Sequence, residues 1–193
     1  MGTSFDIYKE NALRDLKKAL IKGEVDEPII HYLEILNSKD NIYTTSSCYG
    51  RITVDSVPLI DNKRNHTWLG KWHRNVNANE ILDALKKGIK NITYIKQEPF
   101  ILHIGARDIE TANTILSVAR DRLGLKRSGI MHLKPRIMLE IMGLDYVSLP
   151  AKYNEEYLID LKNIDKIVEI LNAKFNRNEE RLKRFINEVD KSL

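Results

Sequence analysis

Apolar residues recur every three or four positions along the first forty residues, and this spacing predicts two helices before any strand. Leu13, Leu16 and Leu20 share one face of a helix that runs from about Asp6 to Ile21 and ends at Lys22-Gly23. Asp26 is placed to cap a second helix, with Pro28 in its first turn. The two helices are therefore expected to form a packing layer.

The pattern then changes to short runs of β-prone residues, beginning with Tyr43 to Ile52. This run reads as a strand, a tight polar elbow containing Gly50, and a second strand that continues to Val57. His66 to His73 is predicted as a third strand, whose alternation places Trp68 and Trp72 on one face. Several separate strands therefore follow the two helices.

The rest of the chain mixes helices and strands. Asn77 and Glu80 have the spacing of a capping box at the start of a short helix. The longest strand pattern covers 92–105, and Pro99 in its middle predicts a bend or kink. Asp108 is predicted to cap the next helix, and Asn163 a long final helix. Further strands are expected between these helices, over 126–133, 137–142, 145–149 and 156–161.

This order of elements is too irregular for a doubly wound parallel sheet. We therefore expect an α+β fold with a mostly antiparallel or mixed β-sheet core, N-terminal helices and a long C-terminal helix, and not a Rossmann fold. No linker or low-complexity segment divides the 193 residues, so the chain is expected to form a single domain over 1–193.

Composition narrows the function classes. The apolar content of 42% suits a globular core, and the net charge of +4 is a weak indication of a polyanionic partner. One cysteine excludes an internal disulfide, and the five histidines lack metal-binding spacing, so no metal is expected. The polar start predicts no signal peptide, and no apolar run approaches a membrane span, so we expect a cytoplasmic protein.

The common motifs of nucleotide-binding proteins and of α/β-hydrolases are absent. The sequence contains no GxGxxG after a strand, no P-loop and no GxSxG elbow. What stands out is the density of polar groups at the elbow, where Ser46, Ser47, Cys48 and Arg51 flank Gly50. This elbow can be ordinary loop chemistry, and Cys48 can be a packed residue.

If the neighbouring strands pair near the elbow, a wider set of polar side chains converges on it. The set comprises Ser47, Arg51, His73, Lys96, Glu98 and His103.

Three segments carry a family resemblance. They are Thr44-Thr45-Ser46-Ser47-Cys48-Tyr49-Gly50-Arg51-Ile52, Lys96-Gln97-Glu98-Pro99-Phe100-Ile101-Leu102-His103 and Arg127-Ser128-Gly129-Ile130. With the terminal helix around Asn178 to Phe185, they resemble the third wybutosine-synthesizing protein family in the same order over nearly the whole chain. The resemblance implies a fold that is not Rossmann-like. It also implies a methyltransferase that moves a methyl group from S-adenosylmethionine to an imidazopurine nitrogen. The acceptor is a demethylwyosine-type base 3′ of the anticodon in phenylalanine tRNA.

Under this resemblance, the polar residues acquire expected roles. Donor binding is expected from Ser46, Ser47, Gly50, Arg51 and Glu98, although the two serines can instead hold the edge of the base. The expected catalytic groups, which orient the base or relay its proton, are Ser47, His73, Glu98 and His103.

The expected partner is modified tRNA. The candidate phosphate contacts are Arg51, Lys63, Arg64, Lys71, Arg74 and Lys96, and a flipped-out purine can stack on Trp68, Trp72 or Tyr49. Two alternatives stay open, a non-catalytic RNA-binding module and a hydrolase that uses Ser47 or Cys48. The sequence leaves the oligomeric state open.

Overall fold

The structure is a computed structural model that describes residues 4–59, 66–88 and 91–193. Its helices are α1 (Ser4–Lys22), α2 (Ile30–Asn37), α3 (Ala78–Lys87), α4 (Ile109–Leu116) and α5 (Ile164–Ser192). Its strands are β1 (Ile42–Cys48), β2 (Arg51–Val57), β3 (Thr67–Trp72), β4 (Ile92–Glu98), β5 (Ile101–Ala106), β6 (Gly129–His132), β7 (Ile137–Met142), β8 (Val147–Tyr153) and β9 (Glu156–Tyr157). No helix in the described ranges combines the length and apolarity that crossing a membrane requires.

Two predicted helix caps are confirmed. Asn77 Oδ1 accepts a hydrogen bond from the Glu80 N–H at 3.0 Å, and Glu80 Oε2 accepts one from the Asn77 N–H at 3.0 Å, so the capping box of α3 is complete. Asp108 caps α4 by accepting from the Thr111 N–H at 2.7 Å. Both caps satisfy amide groups that a helix leaves unbonded at its start.

Two other predicted caps are wrong. Asp26 stands before the 3₁₀ turn that leads into α2, but its side chain makes no cap and accepts instead from the Tyr49 N–H at 3.1 Å. Asn163 is the last residue of a 3₁₀ turn whose cap is Asp160. The Asp26 carboxylate thus binds the amide of a residue far along the chain and not an amide at the start of the helix that follows it.

The chain divides into two compact units, each built from separate segments. The first unit comprises Met1–Tyr49, Phe100–Leu144 and Glu179–Leu193. Its antiparallel sheet has the strand order β1-β5-β7-β6, with α1 and α2 against β1 and α4 against β5 and β7. Tyr43 of β1 lies directly across from Gly105 of β5, and its ring covers the glycine so closely that a Cβ there would lie 2.2 Å from Tyr43 Cζ.

The second unit comprises Gly50–Pro99 and Asp145–Asn178. Its antiparallel sheet has the order β3-β2-β4-β8-β9, and α3 packs on β2 and β3. The fully buried Ile52, Val54 and Ile95 share one face of this sheet, because residues directly across a strand pair point to the same side. The alternate positions form the other face, which carries charged groups.

The long strand predicted over 92–105 is wrong in one respect. It is two strands, β4 and β5, that belong to different sheets, with Pro99 between them. Proline lacks the N–H that a central ladder position needs, so pairing stops there and the chain leaves one unit for the other. The α+β fold class, with antiparallel sheets and no Rossmann topology, is confirmed. The single domain over 1–193 stays a prediction.

Candidate functional site

The polar elbow joins two strands that do not pair with each other. β1 ends at Cys48 in the first sheet and β2 begins at Arg51 in the second, so the expected strand-elbow-strand order is present without a hairpin. Gly50 has φ of +98°, a conformation that side chains with a β-carbon resist. An irregularity between Thr44 and Ser47 interrupts the pairing of β1 with β5 and re-aims the side chains of this stretch.

The two elbow serines line a cavity of about 570 Å³ in the first unit. This volume is within the range of small-molecule sites. Ser47 Oγ is buried and has no hydrogen-bond partner among the residues that the structure describes. The walls combine apolar with polar and charged side chains: Tyr8, Asn11, Ala12, Asp15, Leu16, Ala19, Glu24, Val25, Leu33, Thr45, Ser46, Ser47 and Arg136.

The structure brings Arg51 and Glu98 together in the second unit. The two residues lie opposite each other on β2 and β4, and Arg51 Nε donates to Glu98 Oε2 at 2.5 Å. The Arg51 guanidinium also lies over the ring of Trp68, 4.7 Å from its centroid. Arg51 is thus held in place by the Glu98 carboxylate on one side and the Trp68 indole on the other.

A buried carboxylate beside this pair was missed by the sequence reasoning. Asp55 is 0% exposed, and its Oδ2 accepts from Lys96 Nζ at 2.7 Å and from His66 Nε2 at 3.1 Å. Because an ionised carboxylate only accepts, His66 Nε2 carries a proton in this contact. The parity of 51, 53 and 55 on β2 and of 94, 96 and 98 on β4 was the signal that could have placed Asp55 on this charged face.

The prediction that both tryptophans share a face is wrong. β2 and β3 pair through Val54 with Gly70, but Asp55 pairs with Trp68, so β3 has one extra residue at that step. This bulge turns Trp68 to the charged face, while Trp72 keeps the parity of Gly70. Trp68 remains 44% exposed, and His66 makes an edge contact with it at 4.4 Å between ring centroids.

The other predicted stacking residue, Tyr49, is not available to a base. It is only 6% exposed, its hydroxyl donates to Glu179 Oε1 at 2.6 Å, and its ring lies near-parallel to Tyr32 at 6.4 Å. Burial, followed by the contact with Glu179, raises the pKa of the Tyr49 hydroxyl far above its usual range. Tyr49 is therefore a packed residue of the first unit, whereas the Trp68 ring is exposed.

The two histidines predicted to be catalytic have different partners. His73 Nδ1 lies 2.9 Å from the Gly50 carbonyl oxygen, so this nitrogen carries a proton and donates. His103 Nε2 lies 3.1 Å from Glu140 Oε2, across the β5–β7 pair of the first unit. Each ring is therefore fixed by an oxygen, and their catalytic roles stay predictions.

Two of the predicted phosphate contacts, Lys71 and Lys96, both lie across from Thr53 and therefore share the charged face of the second sheet with Arg51. Lys63 and Arg64 lie outside the described residues. Lys71 is exposed on β3, Arg74 Nη2 lies 2.6 Å from Glu80 Oε1, and Lys96 is held by the buried carboxylate described above. Lys96 thus has a structural partner that the sequence did not predict.

Comparison with known proteins identifies the family of the chain. The family model described as Methyltransferase TYW3 matches residues 8–191. A protein of Thermococcus kodakarensis named tRNA(Phe) 7-((3-amino-3-carboxypropyl)-4-demethylwyosine(37)-N(4))-methyltransferase 1 is 39% identical over 189 residues, covering 97% of this chain and 95% of that protein. The tRNA wybutosine-synthesizing protein 3 homolog of Danio rerio is 32% identical over 191 residues, covering 95% and 74%.

A solved structure shows the same fold. The PH1069 protein from Pyrococcus horikoshii superposes with a TM-score of 0.90 at 38% identity, covering 96% of this chain and 95% of that one. The alternatives of a non-catalytic RNA-binding module and of a hydrolase find no support in these relatives. The chain belongs to the Methyltransferase TYW3 family.

Proposed function

We propose that this protein transfers a methyl group from S-adenosylmethionine to N4 of 7-(3-amino-3-carboxypropyl)-4-demethylwyosine at position 37 of phenylalanine tRNA. The observation that carries the proposal is the family match over residues 8–191, together with relatives named for this reaction that are aligned over almost their whole length. Since the substrate is tRNA, we place the protein in the cytoplasm.

Methyl transfer at a sulfonium is a displacement in which the nitrogen lone pair attacks the methyl carbon as the carbon–sulfur bond breaks. The reaction depends on aligning the two reactants more than on a strong base. Ser46 and Ser47 are proposed to hold one reactant, because they line a cavity of sufficient size and Ser47 Oγ has no partner within the described residues. The products are the methylated base and S-adenosylhomocysteine.

The charged face of the second unit is proposed to recognise the acceptor base and its backbone. Trp68 offers an exposed ring on which a purine can stack, and the Arg51 guanidinium that lies over this ring is proposed to bind a carboxylate or a phosphate. Glu98 is proposed to accept the proton that the acceptor nitrogen releases, with His73 and His103 as the proposed orienting or relay groups.

A methyl-transfer assay tests the proposal. Purified protein is incubated with labelled S-adenosylmethionine and phenylalanine tRNA from cells that lack this methylation step, beside an unmodified transcript of the same tRNA. We expect label in the modified tRNA and none in the transcript. Saturable binding of tRNA without donor binding or product would instead establish an RNA-binding module, and the proposed function would be wrong.

A further inference from the structure

Opposite charges line the cavity of the first unit. Arg136 is one of the lining residues, and its guanidinium is 5.5 Å from the centroid of the Tyr8 ring. No carboxylate in the described part of the chain lies within ion-pairing distance of Arg136. Asp15 and Glu24 also line the cavity, and both are exposed. The cavity therefore presents one arginine without an ionic partner together with two carboxylates.

The two carboxylates have only loose partners in the protein. Asp15 lies 3.5 Å from Lys18 Nζ, and Glu24 lies 3.9 Å from Lys22 Nζ, with more than 60% of each of these side chains exposed. Exposed pairs of this kind contribute little stability, so a ligand can replace them at small cost. Both carboxylates can therefore turn to a positive group that enters the cavity.

This arrangement selects among ligand charges. A phosphate would be attracted to Arg136 but repelled by the two carboxylates. A simple cation would be attracted to the carboxylates but repelled by the arginine. A group that carries both signs can pair with both kinds of lining charge. The α-amino-acid group is such a zwitterion, and its carboxylate matches the two-pronged geometry of a guanidinium.

We propose that this cavity is a binding site for an α-amino-acid group on a short carbon chain. Arg136 pairs with its carboxylate, and Ser47 Oγ donates to a carboxylate oxygen, which gives this buried hydroxyl the partner that the described protein lacks. Asp15 and Glu24 receive the ammonium group at the exposed side. Leu16 is among the apolar residues that cover the methylenes of the chain.

Both reactants of the proposed function carry this group, and the inference rests on that function for the choice between them. In S-adenosylmethionine a 3-amino-3-carboxypropyl chain is attached to the sulfur. In the acceptor named for the relatives the same chain is attached to the tricyclic base. The chemistry recognised is identical, so the experiment must separate the two sources.

The test compares Arg136→Met and Arg136→Lys with the control Arg120→Met, which removes an exposed arginine that does not line the cavity. Calorimetry measures the affinities for S-adenosylhomocysteine and for 5′-methylthioadenosine, which lacks the amino-acid chain. A second arm measures methylation of tRNA that carries or lacks the 3-amino-3-carboxypropyl chain. Because Arg136 packs on Tyr8, melting curves show whether each variant folds, and Arg136→Lys keeps the charge if Arg136→Met does not fold.

Loss of a charge-assisted hydrogen bond changes affinity by about tenfold to a hundredfold. If the donor occupies the cavity, Arg136→Met weakens S-adenosylhomocysteine by that factor and leaves 5′-methylthioadenosine unchanged, with Arg136→Lys between Arg136→Met and the wild type. If the acceptor occupies it, donor affinity is unchanged, but the preference for tRNA carrying the chain falls by that factor. Either result supports the inference.

The inference is overturned if folded Arg136→Met equals Arg120→Met in two ratios. The first is the affinity for S-adenosylhomocysteine relative to 5′-methylthioadenosine, and the second is the methylation of tRNA with the chain relative to tRNA without it. In that case wild-type methylation of tRNA would still stand, so the proposed function would survive. If the wild type binds no donor and methylates no tRNA, the proposed function fails. The inference is then tested by NMR, with S-adenosylhomocysteine or L-2-aminobutanoate as the ligand. It predicts that the ligand shifts the amide resonances of Ser46 and Ser47 in the wild type but not in Arg136→Met. Shifts that are equal in the two proteins, or absent from both, would contradict it.

Discussion

Replacing Glu98 by glutamine separates its proposed role in proton transfer from its role in the fold. Glu98 Oε2 accepts from Arg51 Nε at 2.5 Å, and 27% and 29% of the two side chains are exposed. A hydrogen bond to a charged group contributes about 1.5–3 kcal/mol where it is shielded from water. The glutamine keeps the shape and one carbonyl acceptor, and solvent weakens the original pair, so we expect a loss of only about 1 kcal/mol.

That loss corresponds to a fall in melting temperature of about 2–4 °C for a chain of this size. The effect on catalysis should be much larger, because a proton acceptor contributes about 10²–10⁴-fold to the rate. The assay measures kcat and KM with saturating donor and modified tRNA, alongside the melting temperature. Glu156→Gln is the matched control, since Glu156 is an exposed carboxylate on β9 of the same unit.

The expected result is a large fall in kcat for Glu98→Gln with a nearly normal melt, and no change in either for Glu156→Gln. Wild-type kcat in the Glu98→Gln protein would refute the assignment of Glu98 as the proton acceptor. A collapse of the melt would refute the reasoning on stability instead, because the neutral amide should preserve the contact with Arg51.

Three further predictions follow from packing, exposure and charge. Gly105→Ala places a Cβ 2.2 Å from Tyr43 Cζ and should destabilise the protein by about 1–3 kcal/mol, whereas Gly129→Ala meets nothing within 4 Å. Denaturant unfolding checks the pair, and equal losses would contradict the packing argument. Trp68→Ala should weaken binding of modified tRNA about tenfold or more through lost stacking, measured by fluorescence anisotropy with unchanged donor binding as the control. The hydrogen bond from Arg74, followed by the bond from the Asn77 backbone N–H, lowers the pKa of Glu80. A lowered carboxyl pKa stabilises the fold above its ordinary range and ceases to do so as pH falls through the lowered value, so the difference between wild type and Glu80→Gln should shrink in acid.

Local sequence patterns predicted those parts of the fold in which neighbouring residues decide the structure. The capping box of α3 and the cap of α4 were found because donor and acceptor lie within one helical turn. Runs of β-prone residues, with alternation at 66–73 and 92–105, indicated strands in both sheets, although 92–105 was predicted as one strand and is two. The fold class followed from the order of elements. The family resemblance, which rested on the elbow and the segment around Glu98, is confirmed.

What the sequence could not predict depends on distant contacts. Asp26 pairs with the amide of Tyr49, and no local rule favours that over capping the following helix. The bulge that sends Trp68 to the charged face is a property of the pairing of β2 with β3, and a strand read alone keeps strict alternation. Arg136 reaches the serine cavity from another part of the chain, so spacing around the elbow gave no sign of it.

The most direct test of the account is where a labelled methyl group is found after a single turnover. Phenylalanine tRNA from cells that lack this step is treated with protein and S-adenosylmethionine bearing a deuterated methyl group, digested to nucleosides and analysed by fragmentation in a mass spectrometer. We expect the intact deuterated methyl group on N4 of the tricyclic base from position 37. Label on any other nucleoside, on the ribose or on no nucleoside at all would contradict it.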